Sequence, residues 1–230
     1  SKVFIVPKQY RNFDHEQLAN KLQAKLETLQ HVVVVNGSGD NNYDQLLVNH
    51  GLEKNLELLT QLDDFHADPD DVTQLIFTSG TTGEPKGVMH TSNTLYANIV
   101  PYAERLHLNK NDVILMASPM AHQTGFMYGL IMPVILQAKV VLQDVWEVSQ
   151  AVALIHQHQV SFTMASTPFL NDLANTVAEH HDQVKSLKTF LCAGAPIPGT
   201  TGTESASDFR GESDFSMGHV RVWSRDHHSP

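Results

Sequence analysis

The sequence predicts an α/β fold, a mostly parallel sheet flanked by helices. Three observations carry that prediction. Strand-like and helix-like stretches alternate along the chain, the pattern of parallel strands joined by helical crossovers. Residues 32–35 are an unbroken run of valines, hence a strand covered on both faces. A short apolar run at residues 74–77 leads directly into a loop of glycine and hydroxyl residues that ends in Lys86.

Taken in order, residues 2–6 read as a short apolar strand. Residues 13–29 have helical spacing, with Leu18, Leu22, Leu26 and Leu29 on one face. After the valine strand, residues 36–42 form a loop, and residues 43–62 are leucine-rich and helical, interrupted by Gly51. The acidic stretch 63–71, with Pro69, is a surface turn before the strand 74–77. Beyond the loop, Ser92 caps a helix through Leu95, Ile99 and Tyr102, which Pro101 kinks or ends. Strands follow at 113–117, 140–142, 162–165 and 187–191, the last of these being the final strand expected. Between them lie helices at 126–136, bent by Pro133 and apolar all round, at 148–158, and from Thr167 onward with Pro168 in its first turn. No internal repeat is present.

The loop itself, Thr78 to Gly87, reads TSGTTGEPKG. Its chemistry is that of a phosphate cradle. Glycines let successive backbone N–H groups turn inward, hydroxyls add short hydrogen bonds to anionic oxygens, and a lysine supplies a mobile positive charge. A Walker A loop needs Gly-Lys-Ser/Thr, whereas Lys86 lies between Pro85 and Gly87. A flexible linker is the bland alternative, but linkers seldom follow an apolar strand or leave through Pro-Lys-Gly.

Those ten residues resemble the phosphate-binding signature of the adenylate-forming superfamily, which contains acyl-CoA synthetases, peptide-synthetase adenylation domains and luciferases. Two further stretches resemble the family in its order: SPMAHQTGF at 118–126 and LCAGAPIP at 191–198. From about Val3 to Pro198 the wording is most similar to short- and medium-chain fatty acyl-CoA synthetases and cyclohexanecarboxylate-type ligases. The resemblance implies part of the large N-terminal domain of such an enzyme. The implied reaction has two steps: a carboxylate attacks the α-phosphate of ATP to give an acyl-adenylate and pyrophosphate, then the thiol of coenzyme A attacks the adenylate.

On the same resemblance Thr78, Ser79, Gly80, Thr81, Thr82 and Gly83 hold the β- and γ-phosphates, and Lys86 neutralises the leaving pyrophosphate. His122 lies at the mouth of the acyl pocket, near the reacting carboxylate. Ala193, Gly194, Ala195 and Pro196 contact adenine. Mg²⁺ bridges the phosphates, with help from a family glutamate whose motif does not occur in this reading frame. His90 is read as structural, and Cys192 as a packed thiol, since no base is near it in sequence. Phe126, Met127, Leu130 and Met132 fit either an acyl pocket or ordinary core, and core is adopted. The 14 histidines show no i, i+4 spacing with a carboxylate partner, so none is assigned to metal.

Lys and Arg total 15 against 25 Asp and Glu, a net charge of −10. That balance argues against nucleic acid or an anionic membrane as the main partner and leaves small molecules: a carboxylic acid, ATP and CoA. One cysteine suits a reducing compartment. No run is long enough for an integral membrane segment and the start is not a signal peptide, so a cytoplasmic enzyme is expected. Ser1 in place of a methionine suggests a segment of a longer chain.

The texture changes near Gly199. Residues 1–198 are expected to be a partial adenylation domain, and 199–230 a non-homologous tail, disordered or read out of frame. The frameshift is the version adopted. Residues 215–222 can be coded so that a one-base shift yields Ser-Ala-Trp-Gly-Met-Ser-Glu, the motif the family shows next; the gene's nucleotide sequence decides it. Two rivals stand beside the fatty-acid ligase: an aryl- or amino-acid-adenylating domain, and an inactive remnant with open sheet edges. The 230 residues alone are expected not to turn over, because the family's catalytic lysine comes from a C-terminal domain.

Overall fold

Phe162–Ala165 is the strand on which the larger part of the molecule is built. All four of its residues are buried, and strands pair with it on both sides. The computed structural model describes residues 1–49, 51, 54–63, 65–78, 83–192, 212–213 and 221–224. The chain divides into two compact units, Ser1–Asp68 and Pro69–Pro230.

In the first unit, strand β1 (Val3–Pro7) pairs in parallel with β4 (His31–Val35). Val32, Val33 and Val34 are buried, as their β-branched run requires. The short hairpin β2 (Gln9–Tyr10) and β3 (Phe13–Asp14) leads into helix α1 (His15–Gln23), whose N-cap Asp14 accepts a hydrogen bond from the Gln17 amide at 2.8 Å. This helix is shorter than the leucine spacing predicts. Leu26 and Leu29 fall in the turns that follow it, Leu18 and Leu26 are exposed, and the buried face is Ala19 with Leu22 beside it. The leucine-rich stretch after β4 divides, as Gly51 foretold, into a π-helical turn (Asp44–Val48) and helix α2 (Leu56–Asp63).

In the second unit, β5 (Val72–Thr78) and β6 (Lys86–Thr91) form an antiparallel hairpin. Helix α3 (Ser92–Arg105) follows. The main sheet comprises β7 (Val113–Met116), β8 (Lys139–Leu142), β9 (Phe162–Ala165), β10 (Thr189–Cys192), β11 (Glu212–Ser213) and β12 (Arg221–Ser224), in the order β11-β12-β10-β9-β7-β8. The four strands from β10 to β8 are parallel; β12 runs antiparallel on the edge of β10, with Val222 opposite Leu191.

The two-residue pleat of β7, β9 and β10 explains why helices cover both faces. Ile114, Met116, Phe162, Met164 and Leu191 point to one side. There they meet Leu95, Ile99 and Ala103 of α3 and a helical segment made of α4 (Gln123–Phe126), a π turn (Met127–Ile131) and α5 (Met132–Leu136). Leu115, Ala165, Phe190 and Cys192 point to the other side, against α6 (Val148–His158) and α7 (Thr167–His180). The α/β class with a mostly parallel, helix-flanked sheet is therefore observed.

Five sequence expectations need correction. A strand, β6, occupies the stretch after the loop, because Lys86–Thr91 pairs with β5 rather than running straight into a helix. The cap of α3 is Thr91, not Ser92: Thr91 and Thr94 exchange side-chain and backbone bonds in a capping box. Of the two outcomes expected at Pro101, an end to the helix is excluded, since α3 runs through it to Arg105. The 126–136 segment is not buried all round: Leu130 is 44% and Val134 71% exposed, because cluster residues contact only its opposite face. The expectation that 187–191 is the last strand is likewise replaced by β12, whose Val222 and Trp223 are good strand formers.

Helix α6 offers a test of local electrostatics. Its N-cap Glu147 accepts hydrogen bonds from the amides of Ser149 (3.0 Å) and Gln150 (2.7 Å) and from the Ser149 hydroxyl. The Ser149 hydroxyl first, and then the two amides, hold this carboxyl below its ordinary range. A depressed folded-state value contributes stability above the unfolded value of 4.5 and loses it as pH falls through the folded value. Glu147→Gln is thus expected to melt below the parent at pH 7, and the gap is expected to close in melts taken progressively below pH 4.5. Among the described residues no helix is long and apolar enough to cross a membrane.

Candidate functional site

The hairpin register fixes the base of the glycine-rich loop. Thr78, the last residue of β5, stands directly opposite Lys86, the first of β6, and its hydroxyl donates to the Lys86 carbonyl at 3.4 Å. Both side chains therefore lie on one face, with Ile76, Val88, Gln74 and His90 along the same row. Lys86 is exposed, and its ammonium has no partner among the described residues. Gly83 adopts φ of +153°, a backbone that residues with a Cβ rarely reach, and none of the described residues lies within 4 Å of the place a Cβ would take. Ser79, Gly80, Thr81 and Thr82 lie outside the described residues.

His90 is half-buried, and its Nδ1 lies 3.4 Å from the Thr94 hydroxyl of the capping box, which agrees with a structural role. Sequence reasoning missed this box. The Thr-x-x-Thr spacing is its one visible signal.

His122 is the N-cap of α4. Its Nδ1 accepts a hydrogen bond from the Thr124 amide at 3.1 Å. Only a bare ring nitrogen can accept that bond, so the neutral ring carries its proton on Nε2 and presents it as a donor. Close packing holds the cap in place. A Cβ on buried Gly125 would sit 2.2 Å from the Pro119 carbonyl oxygen and 2.6 Å from that of Ser118. Among the described residues no hydrogen bond joins His122 to Thr78 or Lys86.

Topology indicates where a ligand would lie. From β7 the chain goes out to β8 and then returns across β7 to β9 and β10. The switch point of this open sheet is therefore between the carboxyl ends of β7 and β9, where such sheets bind ligands. Residues 117–123 leave the first of these ends and Thr167 the second. Ala193, Gly194, Ala195 and Pro196 follow β10, next to β9, but lie outside the described residues.

Cys192 is fully buried, 3.6 Å from the Thr167 hydroxyl; burial pushes the thiol up, and the Thr167 contact only partly offsets this. It is a packing residue. Met127 and Met132 are buried in the core below α3, Phe126 is half-buried there, and Leu130 is exposed. Tyr102 stacks on Tyr128 with ring centroids 4.4 Å apart and bonds Met164 Sδ at 3.2 Å. Burial, and then the neighbouring Tyr128, raise the Tyr102 hydroxyl well above its usual range. Both rings are half-buried and pack against the core.

The model of the AMP-binding enzyme family matches residues 1–216 of this chain. The chain belongs to the AMP-binding enzyme family. This AMP-binding chain is 32% identical over 198 residues to a medium-chain fatty-acid–CoA ligase of Escherichia coli K12, a match covering 86% of the chain and 34% of that relative. It is 36% identical over 129 residues to a 2-succinylbenzoate–CoA ligase of Bacillus velezensis, covering 56% of the chain and 26% of the relative. The chain thus spans about a third or less of the length of these curated relatives. Among solved structures, ATP-bound MatB from Rhodopseudomonas palustris aligns with a TM-score of 0.67 at 17% identity, over 90% of this chain and 38% of that one. The inhibitor-bound N-terminal domain of FACL13 from Mycobacterium tuberculosis aligns with a TM-score of 0.63 at 20% identity, over 90% and 48%. At that identity the two structures support the fold of the AMP-binding chain and nothing further.

Proposed function

We propose that the chain is the nucleotide-gripping part of an AMP-forming acid–thiol ligase, an acyl-CoA synthetase that uses ATP and CoA. The observation that carries this is the register of the β5–β6 hairpin, which sets Thr78 opposite Lys86, a lysine with no partner among the described residues, at the base of the TSGTTGEPKG loop. A carboxylate oxygen of the acid bonds to the α-phosphorus of ATP while the bond to the β-phosphate bridging oxygen breaks, releasing pyrophosphate. The CoA sulfur then bonds to the acyl carbon, AMP leaves, and the thiol proton goes to solvent. Neither step needs a protein nucleophile, so the residues act by position and charge.

Thr78, Ser79, Gly80, Thr81, Thr82 and Gly83 hold the β- and γ-phosphates, and Lys86 takes up the charge developing on pyrophosphate. His122 donates from Nε2 to the acid carboxylate. Ala193 to Pro196, beyond β10, form the adenine wall. Mg²⁺ is expected on the phosphates. Among the described residues no three His, Cys, Asp or Glu side chains gather to hold an ion. The steps above do not pass through it.

A fatty acid is favoured over an aryl acid because the medium-chain relative matches 86% of the chain, against 56% to 60% for the succinylbenzoate and coumarate ligases. Acid-dependent ATP–pyrophosphate exchange by the full-length protein tests both, with octanoate, 4-coumarate and 2-succinylbenzoate as substrates. Exchange is expected with octanoate foremost. Preference for an aromatic acid would favour the second reading, and no exchange with any acid would remove the first step altogether.

A further inference from the structure

Gln123, the first residue of α4, carries a side-chain amide whose Oε1 and Nε2 are both buried and both without a hydrogen-bond partner among the described residues. Among the described residues no other amide has both ends buried and orphaned; at Gln74, Gln143 and Asn171 only the oxygen is buried without a partner. A buried amide left unpaired is costly, and in native proteins nearly every one is matched by protein, water or ligand. An apolar residue would serve α4 better if Gln123 had only to pack.

Its position suggests what completes the amide. Gln123 directly follows His122, in the segment that leaves β7 at the switch point of the sheet. The backbone around it cannot drift, since Gly125 is pressed against the carbonyls of Ser118 and Pro119. The missing partner must satisfy a donor and an acceptor side by side. A carboxylate or a ketone only accepts, and an alkyl chain does neither. A hydroxyl does both: it donates to Oε1 and accepts from Nε2.

Resting on the reaction proposed above, we infer that Gln123 is a specificity residue whose amide pairs with a hydroxyl group on the acid, close to the carboxylate that His122 meets. The substrate class is then a short- or medium-chain hydroxy acid rather than a plain fatty acid.

The test uses the full-length protein, Gln123→Met and Gln123→Leu, with octanoate, 2-hydroxyoctanoate and 3-hydroxyoctanoate in ATP–pyrophosphate exchange. Wild type is expected to favour one hydroxy acid by about 10- to 100-fold in kcat/KM, since a site built to bond a hydroxyl discriminates against the analogue lacking it. Gln123→Met is expected to abolish that preference while retaining exchange with octanoate. It is also expected to melt about 2–4 °C higher without acid, because an orphaned amide has been removed. Gln123→Leu repeats the ratio should the methionine variant not fold. A wild type that treats the three acids alike, or a preference that survives in both variants, would overturn the inference. So would a lower melting temperature in both variants, which would mean that an internal bond had been lost. Exchange with none of the acids would instead remove the underlying reaction, and the inference with it.

Discussion

Lys86→Ala in the full-length protein is expected to slow acid-dependent ATP–pyrophosphate exchange by about 10²–10³-fold while leaving the melting temperature within about a degree of the parent. The two halves of that expectation come from different features. Lys86 is exposed at the first position of β6 and its ammonium touches no described partner, so the fold does not depend on it. Its backbone, by contrast, is fixed opposite Thr78 at the root of the loop, so the charge is available where a triphosphate would lie. Taking away a preorganised charge from a developing anion is among the more damaging single changes known in enzymes. Lys86→Arg is expected to recover part of the rate, because the charge returns on a bulkier head. Full activity in the alanine variant, measured at saturating ATP and acid, would show that the leaving group is neutralised by something else.

The second large effect falls on stability. Gly125→Ala places a methyl group 2.2 Å from the Pro119 carbonyl oxygen, 2.6 Å from the Pro119 carbonyl carbon and 2.6 Å from the Ser118 carbonyl oxygen. All three are backbone atoms, so no side-chain rotation relieves the contact; the 118–125 segment must move. Overpacking of this kind costs about 3 kcal/mol, at the upper end of its usual range. That corresponds to a melting temperature lower by about 6–12 °C. Because His122 caps the helix that contains Gly125, exchange activity is expected to fall as well in whatever protein remains folded. An unchanged melt would mean that Ser118 and Pro119 are not packed on this glycine. Gly129, where the crowding atoms are Met116 Cγ and Cβ, makes a milder comparison, since a methionine can repack.

Much of the fold was legible because burial leaves a pattern. The strands at 113–116, 162–165 and 189–192 are covered on both faces, and their continuous apolar runs mark them. Strand β6 was not legible. Lys-Gly-Val-Met-His-Thr mixes polar and apolar residues without strict alternation, and Val88 and Met89 are exposed in the hairpin. The leucine spacing past Gln23 continued a helical rhythm into turns, because periodicity does not register where the backbone stops repeating. The loop residues and His122 stand out in the sequence by type and order as candidates. That His122 caps α4 through Nδ1 does not stand out, because histidine is not a favoured cap. The orphaned amide of Gln123 is invisible in one dimension: whether a polar group has a partner is a property of its surroundings.

Calorimetric titration of the full-length protein and its Lys86→Ala variant with ATP, pyrophosphate and AMP bears most directly on the claim that this loop grips a triphosphate. If Lys86 meets the outer phosphates, the variant binds ATP and pyrophosphate about tenfold or more weakly, a loss of about 1.4 kcal/mol, while AMP binds within about twofold of wild type. Equal affinity of the two proteins for ATP, or an AMP loss as large as the ATP loss, would contradict it.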